Sequence, residues 1–274
     1  MLTGFFDIGE TGFEPATSWS RTKRTTKLRY SPSSAVNNNS TQFPILVNPI
    51  NKMFAPYAII CHHNKQGAKM EIIQASQASF DPKPQMSYIF VEGFYPWIKH
   101  ISKNKEKLVK VFTHMFELER FYLAVESQKI AAIAACTSGT TPVCLCRKDF
   151  VQVLGPVCGN ISYLRLRRHM MHNSLPFNVS PKNGVIEFVA TAPEFRKQGI
   201  GHTLLTHIIA NLPHETYMLE VAETNTSAKR LYDRLGFKEF KRVAASKRSG
   251  AGAYIYMRLN AEPAKLHYSA ALKL

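Results

Sequence analysis

Between Val185 and Phe237 the chain gathers the residues best suited to chemistry. An apolar run (Val185, Ile186, Phe188, Val189) leads into Arg196-Lys197-Gln198-Gly199-Ile200-Gly201 and then into an amphipathic segment, the pattern of a strand, a turn and a helix. Such a turn suits a polyphosphate. Glycines at 199 and 201 let the backbone approach an anion, and the unpaired N–H groups of a helix start, aided by the helix dipole, supply donors. A tight turn with no ligand would read the same way. Glu187 interrupts the apolar run, and a carboxylate on a central strand is costly unless it is paired or faces a cleft. It reads equally as a general base or as the partner of an arginine on a neighbouring element.

About two dozen residues beyond the turn comes Asn225-Thr226-Ser227-Ala228-Lys229-Arg230-Leu231-Tyr232-Asp233-Arg234-Leu235-Gly236-Phe237. Ala228, Leu231, Tyr232 and Leu235 keep helical spacing, so the Tyr232 ring is semi-buried whatever its hydroxyl does, and Asn225 is a natural N-cap. Lys229 and Arg230 read as phosphate contacts or, more simply, as solvated surface. Elsewhere the signals are weaker. Cys144 and Cys146 form a C-x-C and His62 and His63 are adjacent, but no second half-site completes a tetrahedral set, so no metal is expected. Cys136 lies in an Ala-rich strand that reads as core.

These groups need elements to hold them. The patterning predicts a strand over 87–91, a helical stretch over 95–119 started by Pro96, and a hairpin of 121–125 with 130–135. A helical insert over 147–174 carries Arg165, Arg167, Arg168, His169 and His172, read as a solvated face or a ligand-facing patch. Then follow a strand over 184–190, a helix over 199–211, a strand over 216–221, a helix over 225–235, and a closing antiparallel pair, 237–243 with 254–259. Mixed connectivity of this kind implies an α/β sheet with parallel and antiparallel pairs.

The turn and the segment that follows it resemble the cofactor-binding motifs of the GCN5-related N-acetyltransferase (GNAT) superfamily. Arg196, Gly199 and Gly201 fill the fixed positions of its [RQ]-x-x-G-x-[GA] motif, and motif agreement runs from Glu187 to Phe237. The resemblance implies a mixed, mostly antiparallel central sheet with splayed parallel strands and flanking helices. It implies acetyl-CoA as co-substrate and a primary amine as acceptor, with direct transfer and no covalent enzyme intermediate. Backbone amides of Lys197, Gln198, Gly199, Ile200, Gly201 and His202, with Arg196, would hold the diphosphate. Phe188, Val189 and Ala190 would line the pantetheine arm, with an N–H near Val189 polarising the thioester carbonyl. Asn225 would lie beside the cofactor, Glu187 would assist amine deprotonation, and Tyr232 would protonate the departing thiolate. Dimers are common in the family, which leaves room for a homodimer here.

Composition sets outer limits. The 274 residues are 45% hydrophobic, enough for a core, and carry a formal net charge of +16. That balance admits a nucleic-acid partner or a polyanionic ligand such as coenzyme A, but the cations are spread over helix faces rather than gathered in an aromatic-studded stripe, which disfavours nucleic acid. The competing functions are a non-catalytic acyl-CoA-binding module and a basic nucleic-acid-binding protein. The residues that choose the acceptor are expected near 94–97 and in the insert. Because the chain has few acids, a neutral or acidic small acceptor is preferred over a polycationic one. Five cysteines without a CxxC pair suggest reduced thiols and, with no membrane-spanning run, a cytoplasmic protein.

The acetyltransferase domain is expected over 86–260, with a short fraying tail over 261–274. Residues 1–69 read as a disordered extension, or as sequence upstream of a true start at Met53, Met70 or Met86. Thr11-Gly12-Phe13-Glu14-Pro15 resembles the peptide that arises when a transfer-RNA gene is translated on its antisense strand.

Overall fold

Alternation along the hairpin sets the layers of the molecule. Phe121, Leu123 and Val125 enter one apolar core while Ala124 and Tyr122 face a second, so the sheet carries a core on each side. The computed structural model describes residues 62–63, 69–172, 175–245 and 251–261, all within one compact unit. Of the extension read over 1–69, His62–His63 and Lys69 lie in strands; the rest of it, and the tail beyond Ala261, lie outside the described residues.

The sheet has eight strands in the order β1-β2-β3-β4-β5-β6-β8-β7. They are β1 (His62–His63), β2 (Lys69–Gln74), β3 (Phe121–Glu126), β4 (Lys129–Thr137), β5 (Asn183–Thr191), β6 (Thr216–Ala222), β7 (Lys238–Ala244) and β8 (Ala253–Asn260). Every neighbouring pair is antiparallel except β5 and β6. The helices are α1 (Lys83–Ile98), α2 (Lys105–Phe112), α3 (Arg147–Leu154), α4 (Pro156–His172), α5 (Ile200–Asn211) and α6 (Thr226–Arg234). Residues of α1 to α4 pack into one core, and those of α5 and α6 into the other. The mixed, mostly antiparallel sheet with one parallel pair is the expected architecture. Among the described residues no helix is long and apolar enough to cross a membrane.

Two expectations are overturned. Ser87–Val91 is not a strand but the middle of α1, because Met86, Ile89, Phe90, Val91 and Ile98 are all buried at helical spacing while Tyr88 points outward. Packing at a period of 3.6 overrides the β-preference of Tyr88, Ile89, Phe90 and Val91. Pro96 therefore sits in the last turn of a helix it was expected to start. The stretch over 95–119 also breaks: α2 ends at Phe112, and 3-10 turns follow at Thr113–Met115 and Leu118–Arg120. Asn104 starts α2, its side chain accepting from the Lys107 N–H at 3.0 Å.

The strand expected at 87–91 is replaced by β2, upstream of residue 86. It pairs with β3 from Met70↔Glu126 to Gln74↔Tyr122, and Met70 and Ile72 are buried. The sheet therefore begins before the expected domain boundary.

Candidate active site

The parallel pair β5·β6 holds register only from Asn183↔Thr216 to Ile186↔Leu219, although β5 runs on to Thr191 and β6 to Ala222. The cause lies on the other side of β5. Against β4, Glu187 pairs with Ala135 and Ala190 with Ile133, so Phe188 and Val189 together oppose Ala134. That extra residue is a β-bulge, and it bends the strand. Phe188 takes a left-handed φ of +54°. A phenylalanine adopts such a backbone only when its surroundings hold it there. Its ring is held among Phe90, Phe121 and Phe94, with centroids 5.9, 6.0 and 6.3 Å away.

Helix α1 packs close against this bend. A Cβ on Gly93 would lie 3.0 Å from the Ala190 Cβ, so a glycine there lets the helix come up to the strand. The approach brings Phe94 and Trp97 to the opening between β5 and β6.

The turn before α5 is left-handed at two positions. Gly199 caps the helix with φ +82°, and a side chain there would project into open space. Lys197, at φ +63°, is also left-handed. The Thr203 N–H bonds back to the Gly199 carbonyl at 3.1 Å, and the N–H groups of the preceding first turn have no acceptor inside the helix. Gly201 is different. A Cβ there would sit 3.5 Å from Thr191 Oγ1 and 3.6 Å from Leu231 Cδ2, ordinary contacts that the chain itself tolerates.

Arg196, read in the sequence as part of an anion cradle, also ties the turn to its surroundings. Its Nε donates to the Thr191 carbonyl at 3.2 Å and its Nη2 to the Glu92 carbonyl at 3.3 Å, linking the turn to β5 and α1. Gln198 donates to the Glu194 carbonyl at 3.0 Å. Asn225 caps α6, accepting from the Ala228 N–H at 3.2 Å. Lys229 forms an ion pair with Asp233 at 3.0 Å on its own helix.

Two cavities open from these elements. The larger, about 1300 Å³, is lined by Ala190, Arg196, Lys197, Gly199, Ile200, Gly201 and His202, and by Arg230 and Arg234 from α6. Its basic side chains outnumber its acids, Glu92 and Asp233, as an anionic ligand requires. The smaller, about 110 Å³, lies where β5 and β6 part and contains Glu187, Phe188 and Tyr232. Four residues line both: Val189, Asn225, Ala228 and Tyr232. Of the residues the resemblance assigns to catalysis or to the cofactor, only Gln198 lines neither, and Lys229, read as a phosphate contact or solvated surface, also stays out of both.

The electrostatics of the small cavity suit proton transfer. Burial raises the Glu187 carboxyl above its ordinary range, and the nearby charge of Glu220 pushes the same way. Burial also raises the Tyr232 phenol, which therefore keeps its proton throughout the neutral range. Cys136 is pushed up to about 12, by burial first and by Glu187 second, which leaves its thiol inert as a nucleophile.

Some lining residues escaped the sequence reading. Phe94 and Trp97 fall where acceptor-choosing residues were expected, but described residues of the insert stay out of this cavity, and Leu175 and Phe177 after it take their place. Tyr254 and Glu220 were also missed. Glu220 did carry a signal, a lone carboxylate in the apolar strand Thr216-Tyr217-Met218-Leu219-Glu220-Val221-Ala222, the same one that drew attention to Glu187.

Comparison with known proteins bears on what this arrangement is for. The family model described as the acetyltransferase (GNAT) family matches residues 94–237, just over half of the chain. A 5-NmdU N-acetyltransferase of Pseudomonas phage PaMx11 is 35% identical over 72 residues, 26% of this chain and 49% of that protein. The [ribosomal protein bS18]-alanine N-acetyltransferase of Escherichia coli K12 is 41% identical over 54 residues, 19% of this chain and 36% of that protein. The chain thus spans about half or less of the length of these curated relatives. Among solved structures, the Escherichia coli ribosomal-protein-S18-alanine N-acetyltransferase has 18% identity and a TM-score of 0.42, covering 70% of this chain and 94% of that one. An N-acetyltransferase from Staphylococcus aureus Mu50 has 17% identity and a TM-score of 0.44, covering 69% and 99%.

Proposed function

The chain belongs to the acetyltransferase (GNAT) family, and we propose that it moves an acetyl group from acetyl-CoA to a primary amine by direct attack. One observation carries this reading: the basic cleft and the small cavity meet at Val189, Asn225, Ala228 and Tyr232, beside the gap between β5 and β6. A long, bent, polyanionic thioester fits that layout. Its diphosphate lies against the first-turn N–H groups of α5, its arm enters the gap as a further strand, and its reactive end reaches Val189 and Tyr232.

The roles then follow from chemistry. The amine arrives protonated and must lose a proton before its nitrogen can attack the thioester carbon. Glu187, whose raised pKa brings it toward the operating pH, takes that proton directly or through water. As the C–N bond forms, negative charge gathers on the carbonyl oxygen, and the Val189 N–H stabilises it. The C–S bond then breaks, Tyr232 donates its proton to the sulfur, and the second proton that the nitrogen loses as the amide forms returns to the phenol. No thiol of the protein takes part, in keeping with the inert Cys136.

A cytoplasmic setting fits the exposed free thiols of Cys144, Cys146 and Cys158. The test is coenzyme A release from acetyl-CoA across a panel of amines, read with a thiol reagent, alongside calorimetry of acetyl-CoA binding. Release that depends on an added amine supports the reading. Binding without release under any amine leaves a non-catalytic acyl-CoA module, and absence of binding overturns the proposal.

A further inference from the structure

Helix α4 presents apolar side chains on both of its faces. Inward, Leu166 and Met170 are buried in the core shared with α1 to α3, and the Tyr163 ring packs edge-on against Phe150 of α3, centroids 6.0 Å apart. Outward, Val157, Ile161 and Leu164 follow one another at intervals of four and three residues and stand 69%, 45% and 58% exposed. That spacing puts them in one row along the helix. They are three of the five large hydrophobic side chains exposed among the described residues. On an ordinary surface helix the middle of the outward face is polar.

Cations border the row. Arg168 continues it four residues beyond Leu164, Arg165 stands on one side and Arg167 on the other, and all three are exposed. Arg147 of α3 donates from Nε to Asn160 Oδ1, which brings a further guanidinium to the flank that carries Arg167. No Asp or Glu occurs anywhere in α4. These are the insert arginines read in the sequence as a solvated face or a ligand-facing patch, and the described residues of α4 line neither cavity of the candidate active site. The arginines face outward with the aliphatic row between them.

The geometry points to an anionic lipid surface as the partner of this face, with α4 lying flat on it. An aliphatic row bordered on both sides by arginines is the pattern of an interfacial helix. The side chains of Val157, Ile161 and Leu164 enter the boundary between headgroups and acyl chains, and the guanidinium groups stay at the level of the phosphates. Two features set this partner above another copy of the chain. The apolar row covers on the order of a few hundred Å², well below the roughly 800 Å² per partner that a stable protein interface buries. A second α4 would also bring arginines and no carboxylate to receive them. The cations are spread along both flanks instead of converging on one point, which suits a plane of negative charge that demands no matched spacing. The surface works whether or not the cleft transfers acetyl groups.

The experiment is flotation of the full chain with vesicles, either phosphatidylcholine alone or equal parts of phosphatidylcholine and phosphatidylglycerol, at low and at high salt. Binding to the mixed vesicles and not to phosphatidylcholine is expected, weakening as salt rises. Because the whole chain is basic, two variants decide. Val157→Ser with Leu164→Ser leaves every charge in place and is expected to lower the partition onto mixed vesicles about tenfold. Arg165→Gln with Arg168→Gln is expected to do the same and to flatten the salt dependence. All four side chains are exposed, so Tm should match the wild type in both variants. Partition unchanged by the serine pair, or no binding to mixed vesicles at all, overturns the proposal. So does a dimer in sedimentation that the serine pair dissolves, which assigns the row to a second copy. Binding of a synthetic glutamate-rich amphipathic helix that the serine pair abolishes, with vesicles left unbound, overturns it in favour of an acidic protein.

Discussion

Glu187 and Glu220 stand side by side on adjacent parallel strands, each one residue beyond the last paired position, with their side chains on the same face of the sheet. Burial first, and the charge on Glu220 in the same direction, raise the pKa of Glu187. Removing that charge in Glu220→Gln lowers the pKa of Glu187. The acid limb of the kcat/KM profile, where activity fades as the base protonates, then moves to lower pH. A limb that stays in place separates the two groups, and a limb that vanishes assigns the base to Glu220.

Glu187 also ties stability to pH. Its folded-state pKa is raised, chiefly by burial, so its contribution is fully present below the unfolded pKa and is lost as pH rises through the folded one. Glu187→Gln removes that loss. The variant gains Tm relative to the wild type at neutral pH, and the gain shrinks on acidification, while kcat falls by about 10² or more. Thermal melts across pH, with an advantage that grows toward acid, would contradict this assignment.

Tyr232 lies 6% exposed with its ring centroid 6.1 Å from that of Phe237. Tyr232→Phe keeps the ring and removes only the proton donor. The expected result is a fall in kcat of about 10² with little change in the KM for acetyl-CoA and little change in Tm. A comparable rise in that KM would make the hydroxyl a binding group instead.

The two glycines of the turn separate backbone strain from ligand approach. Gly199→Ala forces a left-handed φ on a side-chain-bearing residue and is expected to cost about 1 kcal/mol of stability. Gly201→Ala meets only ordinary contacts within the chain, so its Tm should stay near the wild type. If the diphosphate lies against this turn, Gly201→Ala weakens acetyl-CoA binding about tenfold by calorimetry without a matching loss of stability. Unchanged affinity in that variant moves the diphosphate off the turn.

Strand β2 makes a start at Met86 a severe deletion. Such a chain lacks Met70 and Ile72, whose burial is worth roughly 1.5 to 3 kcal/mol each, and leaves the edge of β3 unpaired. It should be insoluble or melt at least about 10 °C lower. A chain from Met86 with wild-type melting would remove β2 from the stable fold.

The legible parts of this protein were those written locally. The glycine turn at 199 and 201, the hairpin of 121–125 with 130–135 and a capping Asn225 are short-range signals, and each element sits where the reading put it. Helix α1 was misread because Tyr88, Ile89, Phe90 and Val91 are strong strand formers, and only the packing of Phe90 against Phe112, Phe116 and Phe188, with Ile89 and Val91 buried and Tyr88 exposed, reveals the helix. The bulge at Phe188 left no trace either, since any apolar residue could occupy a flat strand there. Glu220 was overlooked for a further reason: its importance depends on which strand β6 lies beside, a fact of topology rather than of sequence.

Phe188 joins two demands that proteins usually keep apart. Its unusual backbone is held by rings on the far side of the sheet from α5 and α6, so a truncation at Phe90 or Phe121 reaches the proposed catalytic groups without touching them. The aromatic packing behind the sheet therefore fixes the backbone that lines the small cavity as well as filling the core.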